Sequence, residues 1–569
     1  MNRKRVFHLA AIGTITAVLA LAAPAQRPDK YPPASLILKN GRIWTAEPKK
    51  EYVSAVAIRD NRILAAGDEK DVAKYDSAQT RKLDLGGRFA MPGFNDAHIH
   101  FGGGALNLSK LDLNDAKSLE DVQKRLAAYA AANPSATWLQ GFGWQYTQLP
   151  GGRLPTRQDI DAVVKDRPVF LTAYDGHSGW ANSKALEVAG VTRETPFSGF
   201  GELVRDEQGN PTGMLKESAQ ALVRRKIPAA TRDDRLNALR AVLKMAARLG
   251  ITSIQNMSGD RDDLELYQEL LDKGELTVRV SNAISVGPQV KRERIAEIAA
   301  MAHEFGGPML RVSGIKIVMD GVIETHTAKM LEPYADLSSS TGSSPWTQMQ
   351  ANNVVSMADR AELQVAIHAI GDGAVRMALE AFEYASQNLR SSDDPRFRIE
   401  HIETVSAADF PRFKKLEVLA SMQPIHADPG TSDVWSRAAG PERVKRAFAW
   451  RDFQKAGVRL VYGSDWPACI NINPWRGIHV AVNRTTDEGV PPGGWVPEQK
   501  VTLETALEAY TRAGAYASHE KNLKGSVAAG RLADIIVLDR DPFKIPPAEL
   551  YRMKVVLTLF DGKIIYDQM

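Results

Sequence analysis

Hydrophobic and polar positions alternate at both ends of the chain, and this alternation predicts short β-strands. Residues 36–45 contain an Asn-Gly turn, and residues 53–67 alternate around an Asp-Asn pair. Residues 531–543 and 555–567 have the same character, and the second of these runs contains an Asp-Gly turn. Because both ends predict strands without helices, we expect one small β-sandwich domain to which both termini contribute.

Between these ends, apolar runs rich in β-branched residues alternate with helical stretches such as 233–249 and 374–389. This change of period is typical of βα units and predicts a parallel sheet. The predicted strands are residues 90–99, 251–257, 277–284, 310–319, 363–370, 397–402, 418–423 and 459–463. Eight such strands predict an α/β fold of the (β/α)8 TIM barrel class.

About 150 residues separate the first two predicted barrel strands, far more than one βα loop requires. The segment mixes strand, turn and short helix patterns, so we expect an inserted subdomain that shapes the substrate pocket. The predicted divisions are a signal peptide at 1–25, the N-terminal part of the β-sandwich at 34–90, the first barrel strand and its helix at 91–137, the inserted subdomain at 138–225, the rest of the barrel at 226–515 and the C-terminal part of the β-sandwich at 516–569.

The first 25 residues have the pattern of a secretory signal peptide. A basic start is followed by apolar residues 6–23 and by small residues at Ala23 and Ala25. An uncleaved membrane anchor is the alternative, because the apolar run is almost long enough to span a bilayer. No other stretch of the sequence has that character. We therefore expect an exported protein, periplasmic or secreted, without stable membrane association once the leader is removed.

Composition narrows the class of protein further. The 569 residues are 44% hydrophobic, which is enough for a large core and at least one satellite domain. The 72 basic residues only slightly exceed the 68 acidic ones, so a nucleic-acid-binding surface is not expected. The single cysteine, Cys469, excludes an intrachain disulfide. The partner that we expect is a small-molecule substrate, and the sequence leaves a homo-oligomer open.

Candidate metal ligands lie at the C-terminal ends of four of the predicted strands. His98 and His100 lie two residues apart at the end of the first strand, so both side chains point to one face. His368 and His401 lie near the ends of strands five and six, and Asp465 follows strand eight. Taken singly, a buried histidine more often hydrogen-bonds a carbonyl group, and an aspartate equally well caps a turn. Together these groups share the C-terminal rim, where barrel enzymes have their active sites, and so predict a metal site.

Lys316 lies in an otherwise apolar stretch of the fourth predicted strand. A buried ammonium group is costly unless it has a partner or is modified. One interpretation is an ion pair with Asp320 or Glu324. The other is a lysine of lowered pKa that reacts with carbon dioxide, giving a carbamate whose two oxygens would bridge two divalent ions.

Several motifs together resemble the amidohydrolase superfamily, and in particular amidohydrolase family 3, to which enzymes similar to N-substituted formamide deformylase belong. The superfamily motifs are FAMPGFNDAHIHF, GIKIVMDG, IHAIGD, IEHIE, GSDWP and GRLADIIVLDRDP. The segments DGHSGWANSKAL and GNPTGMLKES point to family 3. The resemblance covers nearly the whole chain after the leader.

The resemblance implies a divalent metal site, with two zinc ions bridged by a carboxylated lysine. The matching positions are His98 and His100 for the more buried ion, Lys316 for the bridge, His368 and His401 for the more exposed ion, and Asp465 for the catalytic aspartate and metal ligand.

The implied reaction is hydrolysis of a carbon–nitrogen bond other than a peptide bond, in an amide or an N-formyl or N-acyl amine of a small molecule. A metal-activated hydroxide would attack, and Asp465 would pass the proton of the water to the leaving nitrogen. Two alternatives keep the same scaffold: a non-hydrolytic isomerase or lyase, and an ester or phosphoester hydrolase. A third is an inactive exported binding protein, although such a protein would be expected to have lost ligands.

Four further residues are candidates for substrate contacts. His177 and Trp180 lie in the predicted insertion, and His326 and His426 follow strands four and seven. Each has a structural interpretation beside the functional one, because buried histidine and tryptophan often pack with one satisfied polar group. We include all four as predicted pocket residues.

Overall fold

The computed structural model describes residues 31–388 and 394–569. The predicted signal peptide at 1–25 lies outside the described residues. Within the described ranges, no helix combines the length and the apolar character needed to cross a membrane. These ranges form a central barrel, a β-sandwich and an inserted subdomain.

Eight parallel strands form the central barrel, as the alternation of strand and helix patterns predicts. Each strand pairs with the next one in sequence order. The first and eighth strands meet where the amide N–H of Asp465 donates to the carbonyl of His98 at 2.7 Å. The barrel strands are Phe94–Ile99, Ile251–Gly259, Arg279–Ser285, Leu310–Val318, Gln364–Ala369, Arg398–His401, Leu419–Met422 and Leu460–Tyr462.

Helices cover the barrel and bury their apolar faces against it. The helix Arg232–Leu249 begins with a capping box between Thr231 and Asp234, and it ends at Gly250, which has a φ of 74°. These caps are readable in the sequence. The helices around the barrel are Phe101–Asn107, Arg232–Leu249, Arg261–Asp272, Arg292–Glu304, Gln348–Arg360, Asp372–Asn388, Phe410–Lys415, Ser432–Ala439, Pro441–Val444, Trp450–Lys455, Pro474–Asn483, Leu503–Ala509 and Arg512–Ala517.

Both ends of the chain build the β-sandwich. Buried apolar residues of its two sheets, such as Leu38 and Ile535, share one core cluster. The first sheet consists of Leu36–Lys39, Ala55–Arg59, Arg62–Gly67 and Arg81–Asp84, with a short helix at Glu69–Val72. The second consists of Arg42–Trp44, Tyr52–Val53, Phe89–Pro92, Ile535–Leu538, Val555–Phe560 and Lys563–Asp567.

The predicted first barrel strand, residues 90–99, is two strands in the structure. Phe89–Pro92 belongs to the β-sandwich, and Phe94–Ile99 belongs to the barrel. Gly93 separates them, and a Cβ atom there would come within 2.3 Å of Thr252 Oγ1. The hydrophobic pattern hides this break because both halves are buried.

Arg279 joins the barrel to the β-sandwich. Its guanidinium donates two hydrogen bonds to Asp534, at 2.7 and 2.9 Å, and one to Asp561 at 2.8 Å. The arginine side chain is 1% exposed and that of Asp534 is 5% exposed, so this ion pair is buried, whereas Asp561 is partly exposed. Since Arg279 begins the third barrel strand, the β-sandwich packs at the end of the barrel opposite the C-terminal rim.

The insertion is larger than predicted. Its six-stranded sheet begins with Leu111–Asp112, which pairs with Leu139–Trp144, and the helix Leu119–Ala132 packs in the same apolar core. We expected that helix in the barrel unit 91–137, and this expectation was wrong. An amphipathic pattern does not reveal which of two sheets a helix covers. The remaining insertion elements are the strands Val169–Ala173, Ser178–Ala181, Gly201–Arg205 and Pro211–Glu217 and the helices Arg157–Asp161, Ser183–Ala189 and Ala221–Arg224.

Candidate metal centre

Three side chains from the first and eighth strands meet at the C-terminal rim of the barrel. Strand alternation points His98 and His100 to one face, with their ring centroids 5.5 Å apart. Asp465 Oδ1 lies 3.1 Å from His98 Nε2 and 3.0 Å from His100 Nε2. Asp465 has a φ of 61°, a left-handed conformation that costs energy for a residue with a side chain. The turn after the eighth strand thus holds this carboxylate against the two histidines.

Histidines from the fifth and sixth strands and the loop after the seventh lie beside this group. The ring centroid of His401 is 4.4 Å from that of His368 and 4.9 Å from that of His98. His401 is buried, yet neither of its ring nitrogens has a hydrogen-bond partner among the described residues. His426 stacks on His401, and its Nε2 lies 3.7 Å from Asp465 Oδ2. A buried ring without partners is costly, and a bound ion would satisfy it.

The donor set fits a divalent metal. The ligand atoms of His98, His100 and Asp465 lie within 4.8 Å of one another, and so do those of His401, His426 and Asp465. Imidazole nitrogen and carboxylate oxygen are donors that zinc prefers. Burial holds the pKa of His401 well below its usual value, so the ring is neutral, as a ligand must be. Two donor groups that share one carboxylate are compatible with two ions.

His368 reaches the rim but lies outside both donor groups. Its Nε2 is 3.4 Å from the carbonyl oxygen of Gly321 and 3.5 Å from Asp320 Oδ1. His426, which the sequence suggested only for substrate contact, is a member of the second group. The order of residues along the strands predicts which side chains reach the rim, but not which of them converge.

Lys316 is 3% exposed, and its Nζ lies 3.5 Å from His98 Nε2. The ion pair considered from the sequence is not formed, because Asp320 accepts three backbone N–H groups and Glu324 accepts the hydroxyl of Tyr174 at 2.8 Å. Burial lowers the pKa of Lys316, although nearby carboxylates oppose the change. A lowered pKa favours the neutral amine, which is the form of lysine that reacts with carbon dioxide.

Two residues behind His98 were missed by the sequence analysis. Glu400 Oε2 lies 2.6 Å from His98 Nδ1, and the guanidinium of Arg398 donates to the same carboxylate. Burial alone would raise the pKa of Glu400, but the charge of Arg398 and the hydrogen bonds with Arg398 and His98 lower it to about 2. The carboxylate therefore fixes the ring so that Nε2 faces the rim. Alternation along the sixth strand, which places residues 398 and 400 on one face, was the available signal.

The insertion contributes His177 to the rim. Its ring centroid is 5.2 Å from that of His368, and its Nδ1 lies 2.7 Å from Glu217 Oε2. The other oxygen of Glu217 accepts the hydroxyl of Thr327 at 2.8 Å. A Cβ atom at Gly321 would come within 2.3 Å of this carboxylate, so the close approach of the insertion to the barrel requires glycine there. Burial lowers the pKa of His177, but Glu217 raises it to about 9.

Trp180 and His326 do not reach the site. Trp180 is fully buried in the insertion core, where its Nε1 donates to the carbonyl of Thr156 at 2.8 Å. His326 Nε2 lies 2.8 Å from Asp336 Oδ1, and its ring packs on Tyr334. Neither side chain lines the cavity. Trp180 lies in a strand whose side chain points into the insertion core, and the loop after strand four turns His326 away from the site.

A cavity of about 1430 Å³ opens above the rim and extends along the insertion. His177 of the insertion lines it, and the ring of this histidine lies next to that of His368. The buried inner end is lined by His100, Lys316, His368, His401 and Asp465. The site is therefore open to a small molecule that enters between the barrel and the insertion.

Comparison with known proteins places this geometry in a family. The sequence profile of the amidohydrolase family matches residues 81–566. LONG AFTER FAR-RED 3 of Arabidopsis thaliana is 28% identical over 546 residues, covering 94% of this chain and 92% of that protein. N-substituted formamide deformylase of Arthrobacter pascens is 27% identical over 554 residues, covering 94% and 98%. A crystal structure of an uncharacterized metal-dependent hydrolase from Pyrococcus horikoshii, 29% identical, has a TM-score of 0.71 and covers 90% of this chain and 99% of that one. These matches confirm the predicted fold and family: the chain belongs to the amidohydrolase family.

Proposed function

We propose that the protein hydrolyses a carbon–nitrogen bond other than a peptide bond, in an amide or an N-formyl or N-acyl amine of a small molecule. The observation that supports this most is the convergence of His98, His100, His401 and Asp465 beside a buried Lys316 at the mouth of the barrel. The similarity to N-substituted formamide deformylase favours an amide bond over an ester bond.

In this proposal the metal is zinc, bound as a pair of ions, and carboxylated Lys316 would be a ligand shared by the two. His98 and His100 would hold one ion, and His401 would belong to the ligands of the other. Asp465 is common to both donor groups. Bound zinc would supply Lewis acidity that polarises the substrate carbonyl and makes water more acidic.

Asp465 is the residue that we assign to proton transfer. Burial opposes its ionisation, but contacts with His98 and His100 hold its pKa well below the usual value. The carboxylate is therefore ionised and able to accept a proton from the attacking water. It faces the cavity that admits the substrate, so the same group can pass that proton to the leaving nitrogen.

His177 is the substrate contact that the insertion provides. With Nδ1 donating to Glu217 and the ring held in the charged form, Nε2–H is left as a donor. The side chain lines the cavity beside His368. In the proposed reaction this donor hydrogen-bonds the substrate carbonyl oxygen, where negative charge develops.

Metal content and amide hydrolysis, measured on the same preparation, test the proposal. We expect about two equivalents of zinc, and release of amine from N-formyl and N-acyl substrates that stops on chelation and returns with zinc and bicarbonate. His401→Ala should lose metal. His326→Ala is the matched control, because this rim histidine lies away from the cavity, and it should retain both metal and activity. A protein that binds no metal after supplementation would contradict the proposed function.

A further inference from the structure

The outer end of the cavity carries three cationic side chains that the proposed reaction does not use, those of Lys110, Arg224 and Arg225. Lys110 and Arg224 both line it, together with the aromatic side chains of Tyr129, Trp138 and Phe170. Lys110 precedes the first strand of the insertion, whereas Arg224 ends its last helix. The fold of the insertion therefore brings two distant positive charges to one wall.

Neutral groups hold the side chains of Lys110 and Arg224. The Nζ of Lys110 donates to Asn107 Oδ1 at 3.0 Å, and Nη2 of Arg224 donates to Thr172 Oγ1 at 3.1 Å. The guanidinium also lies 5.5 Å from the centroid of the Phe170 ring. These contacts orient the two side chains without neutralising them.

No carboxylate within the described ranges pairs with either cation. Burial and the charge of Arg224 lower the pKa of Lys110, and no acidic group opposes this shift. Besides Asp465, two aspartates line the cavity, and neither forms an ion pair with Lys110 or Arg224. Asp234 accepts the backbone N–H and hydroxyl of Thr231, and Asp175 accepts the hydroxyl of Tyr146. The wall therefore carries positive charge without a protein counter-ion.

We propose that this wall is an anion subsite, in which Lys110 and Arg224 bind a carboxylate of the substrate while its amide bond lies at the metal centre. This inference rests on the proposed function, since it names the substrate class of the same site. The cavity is large enough for one molecule to reach both ends. The substrate would be an N-acyl or N-formyl compound with an apolar skeleton that carries both the amide and the carboxylate.

Two formamides that differ only in the carboxylate test the subsite in the zinc-loaded protein. These are N-formylphenylalanine, used as each enantiomer, and N-formyl-2-phenylethylamine. We expect kcat/KM for one enantiomer of the acid to exceed that for the neutral formamide by about tenfold or more. The difference should come from a lower KM, because one charge-assisted contact to the carboxylate would strengthen binding by about this much. In a Lys110→Met/Arg224→Met variant that preference should disappear, while the neutral compound reacts as before. Lys226→Gln is the matched control, because this exposed lysine does not line the cavity.

Binding of 3-phenylpropionate and of 3-phenylpropanol, measured by calorimetry on the same proteins, separates this inference from the proposed function. We expect the acid to bind more tightly than the alcohol in the wild-type protein and to lose that advantage in the double variant. If neither formamide is cleaved but binding behaves in this way, the subsite stands and the proposed amide hydrolysis falls. If the formamides are cleaved without preference, or the double variant binds the acid as tightly as the wild type, the subsite is refuted.

Discussion

A Glu217→Gln variant would remove the negative charge of the Glu217 carboxylate while keeping the shape of the side chain. The side chain is 6% exposed, with one oxygen 2.7 Å from His177 Nδ1 and the other 2.8 Å from Thr327 Oγ1. Glutamine keeps the oxygen that faces Thr327 but presents its amide N–H to His177. The ring nitrogen then has to accept, so the imidazole becomes neutral, and its Nε2–H remains as an uncharged donor.

The expected loss follows from the one hydrogen bond that changes character. A hydrogen bond involving a charged group contributes about 1.5–3 kcal/mol, and a neutral one about 0.5–1.5 kcal/mol. The difference of about 1–1.5 kcal/mol predicts a decrease in kcat/KM of about 5- to 15-fold at pH 7. Because the raised pKa of His177, about 9, keeps the wild-type ring charged only below that pH, the difference between the two enzymes should shrink above it.

Steady-state kinetics on the best amide substrate, with thermal unfolding as a check on the fold, measure this effect. His177→Ala and the double variant complete the cycle. If Glu217 acts only through His177, the double variant should be no slower than His177→Ala alone. Additive losses, or a Glu217→Gln enzyme with wild-type kcat/KM, would refute the assigned roles of this pair.

Three further substitutions test the site and the fold. His98→Ala should lose zinc, as measured by elemental analysis. Asp465→Asn keeps an oxygen donor, so it should lose less zinc, but its turnover should fall by about 10²–10⁴-fold. Equal metal content with normal turnover in both variants would contradict the assignment. Arg279→Met leaves two carboxylates without their buried partner and should cost about 3–5 kcal/mol in urea unfolding, and a loss below about 1 kcal/mol would contradict this. Gly321→Ala would place a methyl group 2.3 Å from the carboxylate that orients the insertion histidine, so activity should fall, while Gly287→Ala, in open space, should have no effect.

The sequence by itself determined the family and the barrel, and it showed histidines, a lysine and an aspartate in or just after the barrel strands. Period-2 alternation is local, so it predicted that His98 and His100 share a face before any contact was known. The barrel strands lie within a few residues of their predicted limits, because continuous apolar runs bounded by polar turns define them. Lys316 was noticeable for the same reason, as a charge in the middle of such a run.

Only the tertiary structure decided which of these residues converge and what holds them. Glu400 lies 302 residues from His98, and Thr327 lies 110 residues from Glu217, so no local pattern indicates either contact. His326 and His426 follow the fourth and seventh strands, and the direction of each loop decides their roles. The loop with His426 brings it to the donor atoms, whereas the loop with His326 turns away from them. Such pairings depend on how the insertion packs on the barrel, and packing is a property of distant surfaces brought together rather than of the order of residues along the chain.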